Sequence, residues 1–267
     1  MEDNLSYLFN DRVGFKENTV DAFNRLRVSQ PFTLFDSQHR YRENDKWSTI
    51  TATGGTAAHF VNESTMHLSI GLTTGSLVHR ETKRVFPYQP GKSLLVLNTF
   101  VMNEPRQNLR QRVGYFGEDN GIYFEHDGLT AYMVTRSKVT GTVDSTTRRI
   151  AQSSWNGDTF DGNGSSGRAL SVTGANIFWT DIEWLGVGDV RTGFFVDGEP
   201  VVAHTFHNDN INPTTYMTTA VLPIRYEIES IGTGVTGTVG GAGITGATMK
   251  QICSTVISEA GYEGVGR

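Results

Sequence analysis

Four stretches hold residue types that could do chemistry. Asn156, Asp158 and Asp161, followed by Gly162 and Asn163, crowd oxygen donors into one segment, a set that Ca2+ would accept. Their spacing departs from the EF-hand pattern, no Glu closes the loop, and Asx side chains beside Gly commonly bond their own backbone. A structural Ca2+ therefore competes with a plain turn, and no other cofactor is expected. Pro90-Gly91-Lys92-Ser93 imitates the end of a phosphate-binding loop. That pattern needs Gly where Phe86 stands and a helix where residues 94–97 read as a strand, so a turn is expected. Gly186-Val187-Gly188, with Gly193 next and no βαβ unit around it, is no dinucleotide fingerprint. His204 and His207 are three apart, which on a strand turns them to opposite faces and argues against a shared metal. The remaining histidines, at 39, 59, 67, 79 and 126, are scattered. No catalytic motif survives, and the chain is not expected to be an enzyme.

The elements that must position these residues are strands. Residues 177–206 contain three runs rich in β-branched and aromatic residues, separated by Gly186-Val187-Gly188 and by Asp197-Gly198. Asp-Gly suits a two-residue hairpin, because both residues tolerate positive φ. The stretch reads as an antiparallel three-stranded meander at the centre of a β-sandwich or jelly roll.

The totals agree. The chain has 267 residues, enough to bury a core without staples, and its 30 glycines and 19% charged residues favour short strands and turns. Cys253 is the single cysteine, which excludes an intrachain disulfide and a cysteine-rich zinc site. A net charge of −5 argues against a broad nucleic-acid-binding surface. Met1-Glu2-Asp3-Asn4 lacks a signal peptide's basic start, and no apolar run reaches the ~18 residues of a membrane span. The expectation is a soluble protein made in a cytoplasm, with no membrane and no nucleic-acid partner.

Three segments follow from the pattern: 1–31, 32–229 and 230–267. In the first, Asn18 could cap a short helix with Val20 and Phe23 on one side, followed by Arg25 and Arg27. This arm either packs over an open end of the sandwich or docks on a neighbouring subunit. The second alternates and turns every 8–14 residues, including a hairpin around Glu118-Asp119-Asn120-Gly121. Within it, residues 155–167 form a long loop, and residues 220–229 read as an edge strand because Pro223 cannot donate to a ladder. The third opens with Gly/Thr-rich residues 230–247, whose Val235, Val239 and Ile244 are more than a solvated linker needs. A last strand, 249–259, returns to the main sheet or pairs with another chain. Phe23, Arg25, Arg27, Val235, Val239 and Ile244 are the candidate assembly contacts.

Two resemblances add to this. Asp181-Ile182-Glu183-Trp184-Leu185-Gly186 resembles the catalytic strand of laminarinase-like glycoside hydrolases, which are concanavalin-like jelly rolls. The resemblance implies a helper at Asp181 and an acid/base at Glu183. Trp179 stands at the nucleophile position, and a retaining glycosidase without a nucleophile forms no covalent intermediate. What it leaves is a shared scaffold and, as an alternative function, a carbohydrate-binding module engaging host surface glycans through Trp179, Trp184, Asp181 and Glu183; a degenerate hydrolase is a lesser one. Separately, Leu26-Arg27-Val28-Ser29, Pro31-Phe32-Thr33-Leu34-Phe35-Asp36, Gln89-Pro90-Gly91-Lys92-Ser93, Arg112-Val113-Gly114-Tyr115-Phe116, Trp155-Asn156, residues 182–193 and Leu222-Pro223-Ile224-Arg225-Tyr226-Glu227 resemble virion structural proteins of tailed bacteriophages, cyanophages among them. That likeness implies a capsid-surface, tail, baseplate or fibre component, located in the virion after assembly in the host cytoplasm. Its partners would be other virion proteins and copies of itself, a trimer by analogy with phage fibres.

Overall fold

A computed structural model describes residues 31–232 and 246–259. In chain order the strands are β1 (Phe32–Ser37), β2 (Trp47–Ala52), β3 (Thr56–Phe60), β4 (Thr65–Ile70), β5 (Leu77–Thr82) and β6 (Phe86–Pro87). Next come β7 (Leu94–Val101), β8 (Leu109–Phe116), β9 (Gly121–Asp127), β10 (Thr130–Arg136) and β11 (Arg149–Ala151). After a 3-10 turn at Gln152–Ser154 follow β12 (Asn176–Ile182), β13 (Val190–Val196), β14 (Glu199–Phe206), β15 (Val221–Leu222), β16 (Ile224–Ser230) and β17 (Ala247–Ser258).

The strands build an all-β antiparallel sandwich of the jelly-roll type. An eight-stranded sheet runs β14-β13-β12-β7-β17-β4-β3, with β1 also on β17. A seven-stranded sheet runs β11-β10-β9-β8-β16-β5-β2, and β15 pairs with β6 in a small third sheet. Strict alternation explains the layering. On β7, Leu94, Val96 and Phe100 are buried while their neighbours are only half so, which is what a strand with one face on a core requires. Phe124 of β9, Phe178 of β12 and Phe194 of β13 meet between the sheets, with Phe124 and Phe194 edge-to-face at 5.1 Å.

Long-range order differs from the sequence reading in two places. The meander β12-β13-β14 is present, turned at Asp197 (φ 52°) and Gly198 (φ 87°), but it forms one end of its sheet. The centre is β7 beside β17: residues 250–258 pair with β7, while the two halves of β17 pair on its other side with β4 and β1. The segment around Pro223 is not one edge strand. Pro223 separates β15 from β16, which lies well inside the seven-stranded sheet between β8 and β5. A residue without N–H is tolerated there because it sits where the chain changes sheets, and its carbonyl accepts the Phe116 amide at 3.1 Å. The helix expected near Asn18 and the assembly candidates Phe23, Arg25, Arg27, Val235, Val239 and Ile244 lie outside the described residues. Among the described residues no helix is long and apolar enough to cross a membrane.

Candidate functional site

The period of two puts Trp179, Asp181 and Glu183 on the face of the β12 stretch opposite the core-facing Phe178 and Ile182. Asp181 lies opposite Arg191 of β13, and its Oδ2 accepts from Nη2 of that guanidinium at 2.6 Å. Its Oδ1 accepts from the Ser93 hydroxyl at 2.5 Å. Asp181 and Glu183 have 0% of their surface exposed, and Trp179 has 5%. The Trp179 indole lies over Gly193, its register partner, where a Cβ would come within 3.0 Å of the ring and 1.9 Å of the Val201 carbonyl oxygen. Trp184, an odd number of residues away, goes to the core side and meets Tyr88 edge-on at 6.3 Å. The two tryptophans are therefore on opposite sides of the chain. A carboxylate closed off from solvent and held by a guanidinium and a hydroxyl is built to brace β12 against its neighbours.

The oxygen-rich loop spends its side-chain oxygens on backbone amides, within itself and on β14. Asp158 accepts the Phe160 amide at 2.7 Å and the Ser166 amide at 2.6 Å, which, with burial opposing, holds its carboxyl below the usual range. Asp161 accepts the Asn163 amide, and Asn156 exchanges two hydrogen bonds with the Thr205 backbone. The Asp158–Phe160 and Asp161–Asn163 bonds are Asx-type turns, while Asn156 ties the loop to β14. Among the described residues no group of three His, Cys, Asp or Glu side chains is placed to hold a metal ion.

Sequence reasoning missed two further features. On the outer face of the seven-stranded sheet, charges alternate across the ladder: Arg112 binds Glu125 at 2.6 Å and Glu227 at 2.5 Å, while Arg225 binds Glu227 at 2.7 Å and Glu118 at 2.8 Å. Cross-strand register makes the lattice, with Arg112 directly opposite both Glu125 and Glu227. Its charges satisfy one another.

The other is the loop of residues 38–46, which crosses from β1 in one sheet to β2 in the other and encloses a cleft of about 550 Å3. Tyr41 stands on it 91% exposed, beside Gln38, Arg40, Arg42 and Asn44. The loop is anchored from below. Arg80 of β5, with 0% exposure, reaches Glu43 at 2.7 Å, Thr49 at 2.5 Å and Gln251 of β17 at 2.8 Å. The His39 ring accepts the Asn44 amide, and its carbonyl bonds the His59 ring at 2.7 Å. Burial, with the Arg80 charge nearby, brings the His39 pKa down to about 4. The sequence signal was a run of polar residues around one tyrosine, with no Gly or Pro to explain it as a turn.

No protein-family model and no curated protein sequence matches this chain. Solved structures match its fold. A glycosyl hydrolase family protein from Mycobacterium fortuitum superposes with a TM-score of 0.54 at 9% identity, covering 84% of this chain and 99% of that one. A Bacteroides ovatus GH16 protein of a mixed-linkage glucan locus, solved with a G4G4G3G product, gives 0.52 at 12% identity, with coverages of 84% and 99%. A protein of unknown function from Shewanella oneidensis MR-1 gives 0.50 at 9% identity, with coverages of 92% and 94%. At these identities the likeness is one of fold, the jelly roll that the laminarinase-like strand implied.

Proposed function

We propose that this chain is a non-catalytic jelly-roll module that binds a glycan at the 38–46 loop. The observation that carries the reading is Tyr41, an almost fully exposed ring over an open cleft of ligand size, rimmed by amide and guanidinium groups. An exposed aromatic face stacks on the apolar face of a sugar, and planar donors hydrogen-bond its hydroxyls. The fold neighbours that act on or hold glycans support the same choice of ligand. Catalysis is set aside because Trp179 replaces the nucleophile and Asp181 and Glu183 are shut from solvent. A glycan array, followed by titration of the best hit, tests this. Tyr41→Ala should weaken binding about tenfold with an unchanged melting temperature. A blank array overturns the reading. Release of reducing ends that disappears in Glu183→Gln would make the chain an enzyme instead.

A second reading is favoured by the margin where both sheets end. β2 and β3, joined by a tight turn, are edge strands of the two sheets, and Ile50, Phe60 and Val61 are exposed there. Exposed apolar edges are a template for pairing with another chain. This suits a homo-oligomeric particle component of the kind the phage-like phrases imply. Light scattering at micromolar concentration decides it: a clean monomer sinks self-assembly.

A further inference from the structure

We propose that the glycan taken by the 38–46 loop is acidic, a polysaccharide bearing carboxylate or sulfate groups, and that it runs from that cleft into the neighbouring one at Lys83 and Arg84. The inference rests on the glycan-binding reading above and narrows its ligand. The second cleft, about 350 Å3, shares Lys46 with the first. The two clefts together carry five exposed cations, Arg40, Arg42, Lys46, Lys83 and Arg84, against three carboxylates, Asp36, Glu43 and Asp45. One of those carboxylates, Glu43, is already held by the buried Arg80.

Among the described residues the five cations form a local group without carboxylate partners; elsewhere Lys92, Arg106, Arg136 and Arg148 also lack one, and the last three bond carbonyl or amide oxygens. Across the described residues Arg110, Arg112, Arg149, Arg168, Arg191 and Arg225 all pair with carboxylates. Among the described residues none of the five does. Lys83 donates to the Asp45 carbonyl at 2.7 Å, Arg84 donates to the Leu34 carbonyl at 3.2 Å, and Lys46 donates to the Asp36 carbonyl at 3.5 Å and sits 5.5 Å from the Phe35 ring centre. A protein with a net charge of −5 thus gathers along these two clefts a cluster of cations that, among the described residues, have no carboxylate partner. Charge-assisted bonds from guanidinium and ammonium groups to an anion are the strongest polar contacts such a track can offer.

The same charge pattern selects among polyanions. The overall negative charge repels a ligand with the charge density of nucleic acid, and Asp36 and Asp45 interrupt the positive strip. An acidic polysaccharide spaces its charges by whole sugar rings. That spacing suits cations spread over two clefts around a single stacking ring, Tyr41.

Titration calorimetry of the whole chain against polygalacturonate, dextran sulfate, neutral mixed-linkage glucan and duplex DNA tests the proposal at low and high salt. Binding to one of the two acidic polysaccharides is expected, and whichever binds tighter tells carboxylate from sulfate. It should weaken steeply with salt, and by about tenfold or more in Arg40→Gln/Arg42→Gln and in Lys83→Gln/Arg84→Gln. Arg168→Gln, whose exposed side chain pairs with Asp197 instead, should bind as the parent does. If a double variant fails to fold, the salt series on the parent chain decides. Salt-insensitive binding to the neutral glucan alone overturns this inference and leaves the glycan reading standing. Equal affinity for DNA overturns it as mere polyanion exchange. No binding to any polysaccharide overturns both.

Discussion

Glu227 is shared by two guanidinium groups of the charge lattice on the seven-stranded sheet, and its ionisation should set how stability falls with pH. Its side chain on β16 is nearly buried and is held by Arg112 at 2.5 Å and Arg225 at 2.7 Å. Burial alone would raise its pKa, but the two guanidinium groups outweigh that and bring it from 4.5 down to about 2. By linkage a depression of that size contributes about 3 kcal/mol to folding. The sign is that of a depressed carboxyl. The contribution is fully present above the unfolded value near 4.5 and is lost as pH falls toward 2. Glu227→Gln keeps the shape and removes the charge. Each cation retains another carboxylate, Glu125 for Arg112 and Glu118 for Arg225, so neither is stranded and the loss stays near the linkage figure. The variant should be less stable than the parent by about 3 kcal/mol near neutral pH, with the gap closing toward zero at about pH 2. His39, His126 and His204, each brought to about 4 mainly by burial, weaken both proteins as pH falls from 6.5 and cancel in the difference. Urea unfolding followed by tryptophan fluorescence across this pH range measures the gap. A gap of constant size down to pH 3 would show that packing, not ionisation, is what Glu227 supplies, and the reasoning would fail.

Four further outcomes are expected. Arg80→Met, which keeps much of the volume but strands the buried Gln251 oxygen and frees the 38–46 loop, should cost about 2–4 kcal/mol and weaken glycan binding with it. Glu43→Gln, at the half-exposed end of the same contact, should cost about 1 kcal/mol or less; denaturation curves for the pair test whether Arg80 anchors the loop. Asp181→Asn should lower stability by about 2 kcal/mol while leaving binding at Tyr41 unchanged, and a stable variant with lost binding would mean that the β12 face takes part. Asp158→Ala should cost about 2 kcal/mol through its lost amide bonds; a parent melting temperature that rises with Ca2+ and falls with a chelator would instead show that the loop is a cation site.

What the sequence disclosed and what it hid divide along sequence distance. The Asp197-Gly198 turn and the hairpin at Gly121 are local chemistry, and both are present. The alternation on β7 likewise needs no knowledge of its partners. The place of the meander does not follow locally, because the strand beyond β12 is β7, some eighty residues earlier, and the next, β17, comes from the far end. Pro223 misled for a related reason: one run of strand-forming residues serves two sheets, and composition does not mark the change. The charge lattice was invisible because Arg112, Glu125 and Glu227 read separately as solvated charges until register sets them side by side.

The β12 face shows why a catalytic likeness in sequence can serve as scaffold. A period of two delivers Trp179, Asp181 and Glu183 to one side whatever the strand is used for. A glycosidase needs that side open, so that a sugar can lie against an acid and a nucleophile. Here Arg191 is directly opposite Asp181 and Ser93 closes its other oxygen, so the geometry that would orient a helper carboxylate instead ties β12 to β13 and to the start of β7. With that face closed, binding a glycan as proposed takes a ligand surface elsewhere in the sandwich. The 38–46 loop supplies one because it bridges the two sheets and is held by an arginine that reaches across to β17, which fixes the loop and leaves Tyr41 and its neighbouring cations facing solvent.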